Sequence, residues 1–145
     1  MIYTTYYANW RKLPDDIVPI AISRGVPKWF KGHIYSKLAP SWSLVSAWKE
    51  NGNEIEYRKE YKKILDNLNV HTVIKELYAF EDTCNIALVC YEKPSDFCHR
   101  QLVAEWLKKD GFSCKEFSQD LYVPIKYFKA KGNLDVWKSK PFTSW

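Results

Sequence analysis

The sequence of 145 residues holds no stretch near the roughly 18 consecutive apolar residues that a membrane crossing needs. It opens Met1-Ile2-Tyr3 with no charged leader, long apolar segment or small-residue cleavage site, so a cytoplasmic location and no membrane partner are expected. Phosphate-cradling glycine motifs are missing too. There is no Walker loop, no dinucleotide Gly-x-Gly-x-x-Gly fingerprint and no Gly-x-Ser-x-Gly elbow. The four cysteines, Cys84, Cys90, Cys98 and Cys114, include no Cys-x-x-Cys pair of structural zinc spacing. In a reducing compartment the expectation is free thiols and no disulfide.

What the chain has in excess is aromatic rings. Phe, Trp and Tyr make up 17% of the residues, more than one small domain can bury completely, so some must meet solvent or a partner. The net charge of +5 is divided unevenly, with basic ends (residues 1–40 and 118–145) and a mildly acidic middle. Lysine and arginine beside rings suit a phosphate-bearing partner, because the cations neutralise phosphate while the rings stack on bases. A mildly basic surface with no such partner is the plainer alternative. The expected partners are therefore a phosphate-bearing small molecule or nucleic acid, and a homo-oligomer is allowed.

The length fits one domain. Ile2 to Ala8 and Ile17 to Ser23 read as strands around a turn at Leu13 to Asp16. Arg24 to Ser41, broken by Gly25, Pro27, Gly32 and Pro40, reads as a long irregular loop. Helices are expected from Ser41 as N-cap to Glu50, from Glu54 to Asn67 with Ile55, Ile64, Leu65 and Leu68 as its apolar positions, and from Val70 to Ala79. His71, in the first turn of the last of these, reads as a surface residue. Ile86 to Tyr91 is apolar throughout, which suits a central strand covered on both faces. A helix ending before Gly111 and a strand from Phe112 to Phe117 complete a βαβ unit. The fold class is thus α/β, a small Rossmann-like sheet spanning 1–117, with a basic aromatic extension over 118–145 packed on the same domain.

Ligands of open α/β sheets bind beyond the carboxyl ends of strands, and Cys90 to Arg100 occupies that place. Ser95 or Asp96 is the expected N-cap, putting Cys98, His99 and Arg100 in the first helical turn. There Arg100 can grip a phosphate or carboxylate, the helix N-terminus favours an anion, and Cys98, His99 and Glu92 have the chemistry for nucleophilic or acid-base work. Successive helical residues point about 100° apart, so the three cannot all face one atom. The expected division puts Cys98 toward the sheet beside Cys90, packing, with His99 and Arg100 toward the ligand. Burial of both cysteines as plain core is the competing reading. A metal held by Cys90, Cys98 and His99 is weighed and set aside for want of zinc spacing, so no metal and no cofactor are expected.

The segment from Leu88 to Leu107, with Cys90-Tyr-Glu-Lys-Pro-Ser-Asp-Phe-Cys-His-Arg100 at its heart, resembles the hallmark stretch of the domain of unknown function 488 family of bacteria and their phages. Tyr7-Ala-Asn-Trp-Arg11, Ile22 to Gly32 and Leu38-Ala-Pro-Ser-Trp42 are similar to its other recurrent stretches. The likeness runs from residue 2 to about 117. It implies a compact α/β fold and a site shared by the N-terminal motif and the Cys-His-Arg helix, joining Asn9, Arg11, Arg24, Glu92, Cys98, His99 and Arg100. Tyr7 and Trp29 are added as aromatic ligand contacts. The functional expectation is recognition of a phosphate-bearing nucleotide-type ligand, free or in nucleic acid, with action on it through the Cys-His-Arg residues. The alternative is a non-catalytic protein that sequesters a nucleotide or binds nucleic acid or a protein partner.

Overall fold

A computed structural model describes residues 1–119. Nearly all of the expected C-terminal extension, residues 120–145, lies outside the described residues. Five strands, β1 (Ile2–Tyr6), β2 (Val18–Ala21), β3 (His33–Ile34), β4 (Ile86–Cys90) and β5 (Cys114–Glu116), form one sheet in the order β3-β2-β4-β1-β5. Every pairing is parallel. Four α-helices are interleaved, α1 (Trp42–Asn51), α2 (Glu54–Asp66), α3 (Val70–Tyr78) and α4 (His99–Lys109), giving the expected Rossmann-like α/β architecture. None of the described helices is long and apolar enough to cross a membrane.

β4 is central, flanked by β2 and β1, and all five of its residues are buried. Its alternation explains why no polar residue interrupts it. Ile86, Leu88 and Cys90 enter the main core with Ile20, Val73, Leu77 and Leu107, while Ala87 and Val89 enter smaller clusters on the opposite face with Tyr3, Ile17, Tyr7 and Phe30. The chain leaving β4 passes through α4 and returns as β5 beside β1, so the β4-α4-β5 unit steps over one strand.

Local chemistry places the helix ends. Ser41 Oγ accepts from the Leu44 amide at 3.2 Å, and Gly52 closes α1 in the left-handed region at φ 61°. Asn53 and Asn69 cap α2 and α3 in the same way. The apolar face expected for α2 needs correction, because Ile55 is 82% exposed and the buried stripe is Tyr57, Tyr61 and Leu65. These tyrosines bury their rings, and Tyr61 donates its hydroxyl to the Leu38 carbonyl at 2.5 Å. The segment after β2 is less irregular than expected, since it contains β3 and a 3₁₀ turn at Ser36–Leu38. Gly32 is required there: a Cβ would fall 2.5 Å from the Pro19 carbonyl oxygen.

Candidate functional site

A cleft of about 1020 Å³ opens beyond the carboxyl ends of β2 and β4. Ser23, Arg24 and Gly25 line it from the β2 side, and Cys90, Tyr91 and Glu92 from the end of β4. Trp42, Val45, Trp48 and Lys49 form a wall from one face of α1, joined by Tyr57 and Phe97, while Cys98 and His99 reach it from the start of α4. Trp48 packs against both Tyr57 and Phe97, with ring centroids 5.5 and 5.1 Å apart, so the wall is a continuous aromatic surface. Trp42, 62% exposed, and Tyr91, 50% exposed, stand at the solvent side.

Cys98 is the N-cap of α4, not a member of its first turn, and makes no capping hydrogen bond through its side chain. The expected cap at Ser95 or Asp96 is therefore displaced to Cys98. Its backbone is extended, with φ −148° and ψ 149°. The side chains of an extended Cys98 and a helical His99 can therefore turn to one point, while the angular separation expected of helical neighbours still holds between His99 and Arg100. Cys98 lies beside Cys90 as expected, but the two are joined by a disulfide, against the expectation of no bridge. Cys84 and Cys114 are free, and burial raises both thiols, Cys114 to about 12.

His99 is buried, and its Nε2 lies 2.7 Å from the Ile22 carbonyl oxygen. A carbonyl only accepts, so Nε2 carries the proton and Nδ1 keeps its lone pair, 3.8 Å from Cys98 Sγ. Burial, opposed by the Ile22 hydrogen bond and aided by the neighbouring Arg100 cation, lowers the histidine to about 4. At neutral pH the ring is an uncharged base held in one orientation.

Arg100 turns the other way. It is 0% exposed and does not line the cleft. Its Nε and Nη2 each donate to Glu116, at 3.1 Å, and Nη1 donates to Cys90 Sγ at 3.3 Å and to the Glu92 carbonyl. The expectation that Arg100 faces an anionic ligand is therefore corrected: its buried fork is spent on a bidentate pair with the half-buried Glu116, which ties α4 to β5. Glu116 also accepts from Thr4 Oγ1 at 2.6 Å.

The remaining expected residues divide between two places. Glu92 is exposed on the cleft wall. Arg24 also lines the cleft, but its Nε donates to the Pro40 carbonyl at 2.8 Å and its Nη2 to Ala39 at 3.3 Å, so it braces the loop before α1. The expected convergence of Arg24 with Arg100 does not occur. Tyr7 stands behind the cleft, its hydroxyl 2.5 Å from Ser23 Oγ and its ring 4.7 Å from that of Tyr91. Asn9, Arg11 and Trp29 do not line the cleft. Arg11 lies over the rings of Trp10 and Trp29, 5.8 Å from each centroid, and Asn9 reaches Thr5 Oγ1 at 3.5 Å. His71, expected at the surface, is 74% exposed.

Sequence reasoning missed the aromatic wall. The signal was present in α1, where Trp42, Val45, Trp48 and Lys49 recur at helical spacing on one face.

The fold and this cleft define an all-parallel α/β domain carrying sulfur and imidazole beyond its central strands. The chain belongs to the DUF488-N3a family, described as the active DUF488-N3 subclade, whose model matches residues 2–111. No curated protein and no solved structure matches it.

Proposed function

We propose that the cleft binds a phosphate-bearing nucleotide-type ligand and that its floor, Cys98 and His99, acts on that ligand with Glu92 on the adjoining wall. The observation that carries this reading is the placement of a fixed, uncharged imidazole and a cysteine sulfur in a cleft walled by Trp42, Trp48 and Tyr91. Rings of this kind offer stacking surfaces to a base. Lys49 and the partly free guanidinium of Arg24 are the cations available to a phosphate in the same cleft.

The test is a thermal-shift series of the reduced full chain against nucleoside mono-, di- and triphosphates, followed by mass analysis of each stabilising nucleotide after incubation. A ligand at a hundred times its dissociation constant stabilises by about 2.7 kcal/mol. Trp42→Ala should abolish the shift, and His99→Ala should abolish turnover while leaving part of the binding. A nucleotide shift unchanged in Trp42→Ala would move the binding site elsewhere, and no shift with any nucleotide would reject the reading.

A second reading has its own observation, the exposed Trp29 with Arg11 stacked between it and Trp10. Such a patch suits single-stranded nucleic acid bound without chemistry. Oligonucleotide binding weakened by Trp29→Ala and untouched by Trp42→Ala would favour it.

A further inference from the structure

We propose that, once Cys90 and Cys98 are reduced, their sulfurs and His99 Nδ1 hold a single borderline-soft divalent metal ion, zinc in class, with its open coordination position facing the cleft. The three donor atoms lie within 4.8 Å of one another, and all three residues line the cleft. Two sulfurs and one imidazole are a zinc donor set, and three protein ligands with a fourth position open to a cleft is the arrangement of catalytic zinc.

Three further features fit a metal more closely than plain core packing does. His99 gives its Nε2 proton to the Ile22 carbonyl at 2.7 Å, which fixes the tautomer and aims the Nδ1 lone pair at the sulfurs, as the second shell of a metal-bound histidine does. The Cα atoms of Cys90 and Cys98 stand 7.5 Å apart, so sulfurs freed by reduction have room to part and admit an atom between them. Arg100 donates to Cys90 Sγ at 3.3 Å, a bond that steadies a thiolate, while Glu116 balances the guanidinium. A divalent ion against two thiolates, and Arg100 against Glu116, leave the buried cluster neutral. Without the ion the two sulfurs stay protonated thiols, because burial disfavours a pair of uncompensated thiolates.

Binding releases the thiol protons to solvent and forms two metal–sulfur bonds and one metal–nitrogen bond; no electron is transferred in that step. The prior opening of the Cys90–Cys98 bridge takes two electrons from a dithiol reductant, which is itself oxidised to its disulfide. A water in the open position would be acidified by the ion and would face the ligand cleft. The proposal goes beyond the nucleotide reading: with the ion bound, Cys98 and His99 would act on a ligand in the cleft through the metal rather than directly, and no nucleotide enters the test.

The test uses the full chain, reduced and kept anaerobic, with zinc or cobalt(II) as the probe. Elemental analysis should find about one zinc per chain after dialysis, and cobalt should give thiolate charge-transfer absorption with the intense visible bands of a tetrahedral site. Cys98→Ser, Cys90→Ser and His99→Ala, each checked for folding by circular dichroism, should weaken zinc at least about tenfold. If a variant fails to fold, the cobalt spectrum of the unaltered protein decides alone. Two results would overturn the proposal: reduced protein that takes up neither metal, or cobalt bound without thiolate bands. Protein trapped with its thiols alkylated directly from cells and found wholly bridged at Cys90–Cys98 would also reject it.

Discussion

His99 and Arg100 are consecutive in the chain, nearly equally buried, and opposite in what surrounds them. His99 faces Cys98, the Ile22 carbonyl and the cleft, while Arg100 faces Glu116, Cys90 and the Glu92 carbonyl on the sheet side. The difference follows from the helical turn between neighbours, and from the fact that Cys98 precedes that turn and is extended. A Cys-His-Arg string thus separates into a cleft half, where changes should move binding or chemistry, and a clamp half, where they should move stability.

The largest effect should come from breaking the clamp. Glu116→Ala strands a guanidinium whose side chain is 1% exposed, so a loss of about 3 to 5 kcal/mol is expected in urea unfolding. Arg100→Met should cost less, because Glu116, 34% exposed, can turn to water. Equal costs for the two variants would contradict the asymmetry of their burial.

Next in size is a pH effect on the cleft half. The ordinary histidine value is 6.5, and the folded His99 sits at about 4. Between these the unfolded chain takes up a proton that the folded chain refuses. Stability is therefore full above 6.5, falls as the pH drops toward 4, and is flat in this respect below it, a total of about 3 kcal/mol. Urea midpoints between about pH 7.5 and 4.5 should fall, and His99→Asn should flatten the fall. An identical slope in that variant would assign the effect to other groups.

Tyr61→Phe should cost about 1 to 2 kcal/mol, because it leaves the buried Leu38 carbonyl without its donor. Smallest in stability is Trp42→Ala, expected within about 0.5 kcal/mol for a ring 62% exposed, although it should remove ligand binding. A large stability loss there would mean that the cleft wall is core.

Much of the fold was legible because its signals are local. The unbroken apolar run of β4 announced a strand covered on both faces, and Ser41 with Gly52 bracketed α1. The site was legible as a place, the segment after β4, and less so as a set of directions. Arg100 looked like an anion donor because a helix N-terminus favours an anion and a guanidinium beside it can grip one with two hydrogen bonds. Its partner Glu116 sits on another strand, and nothing in the spacing of residues 100 and 116 reveals the pair.

The sequence by itself determined the α/β order, the central strand, the two ends of α1 and the segment that supplies Cys98 and His99, since periodicity and capping chemistry act over a few residues. Only the tertiary structure decided that Tyr57 and Tyr61 replace Ile55 as the buried face of α2, that Trp42 and Trp48 wall the cleft, and that Cys90, Cys98 and His99 meet while Arg100 turns away. Those outcomes depend on which elements lie next to each other in the sheet and on one extended residue ahead of α4, and contacts across 8 to 112 positions of chain leave no local pattern to read.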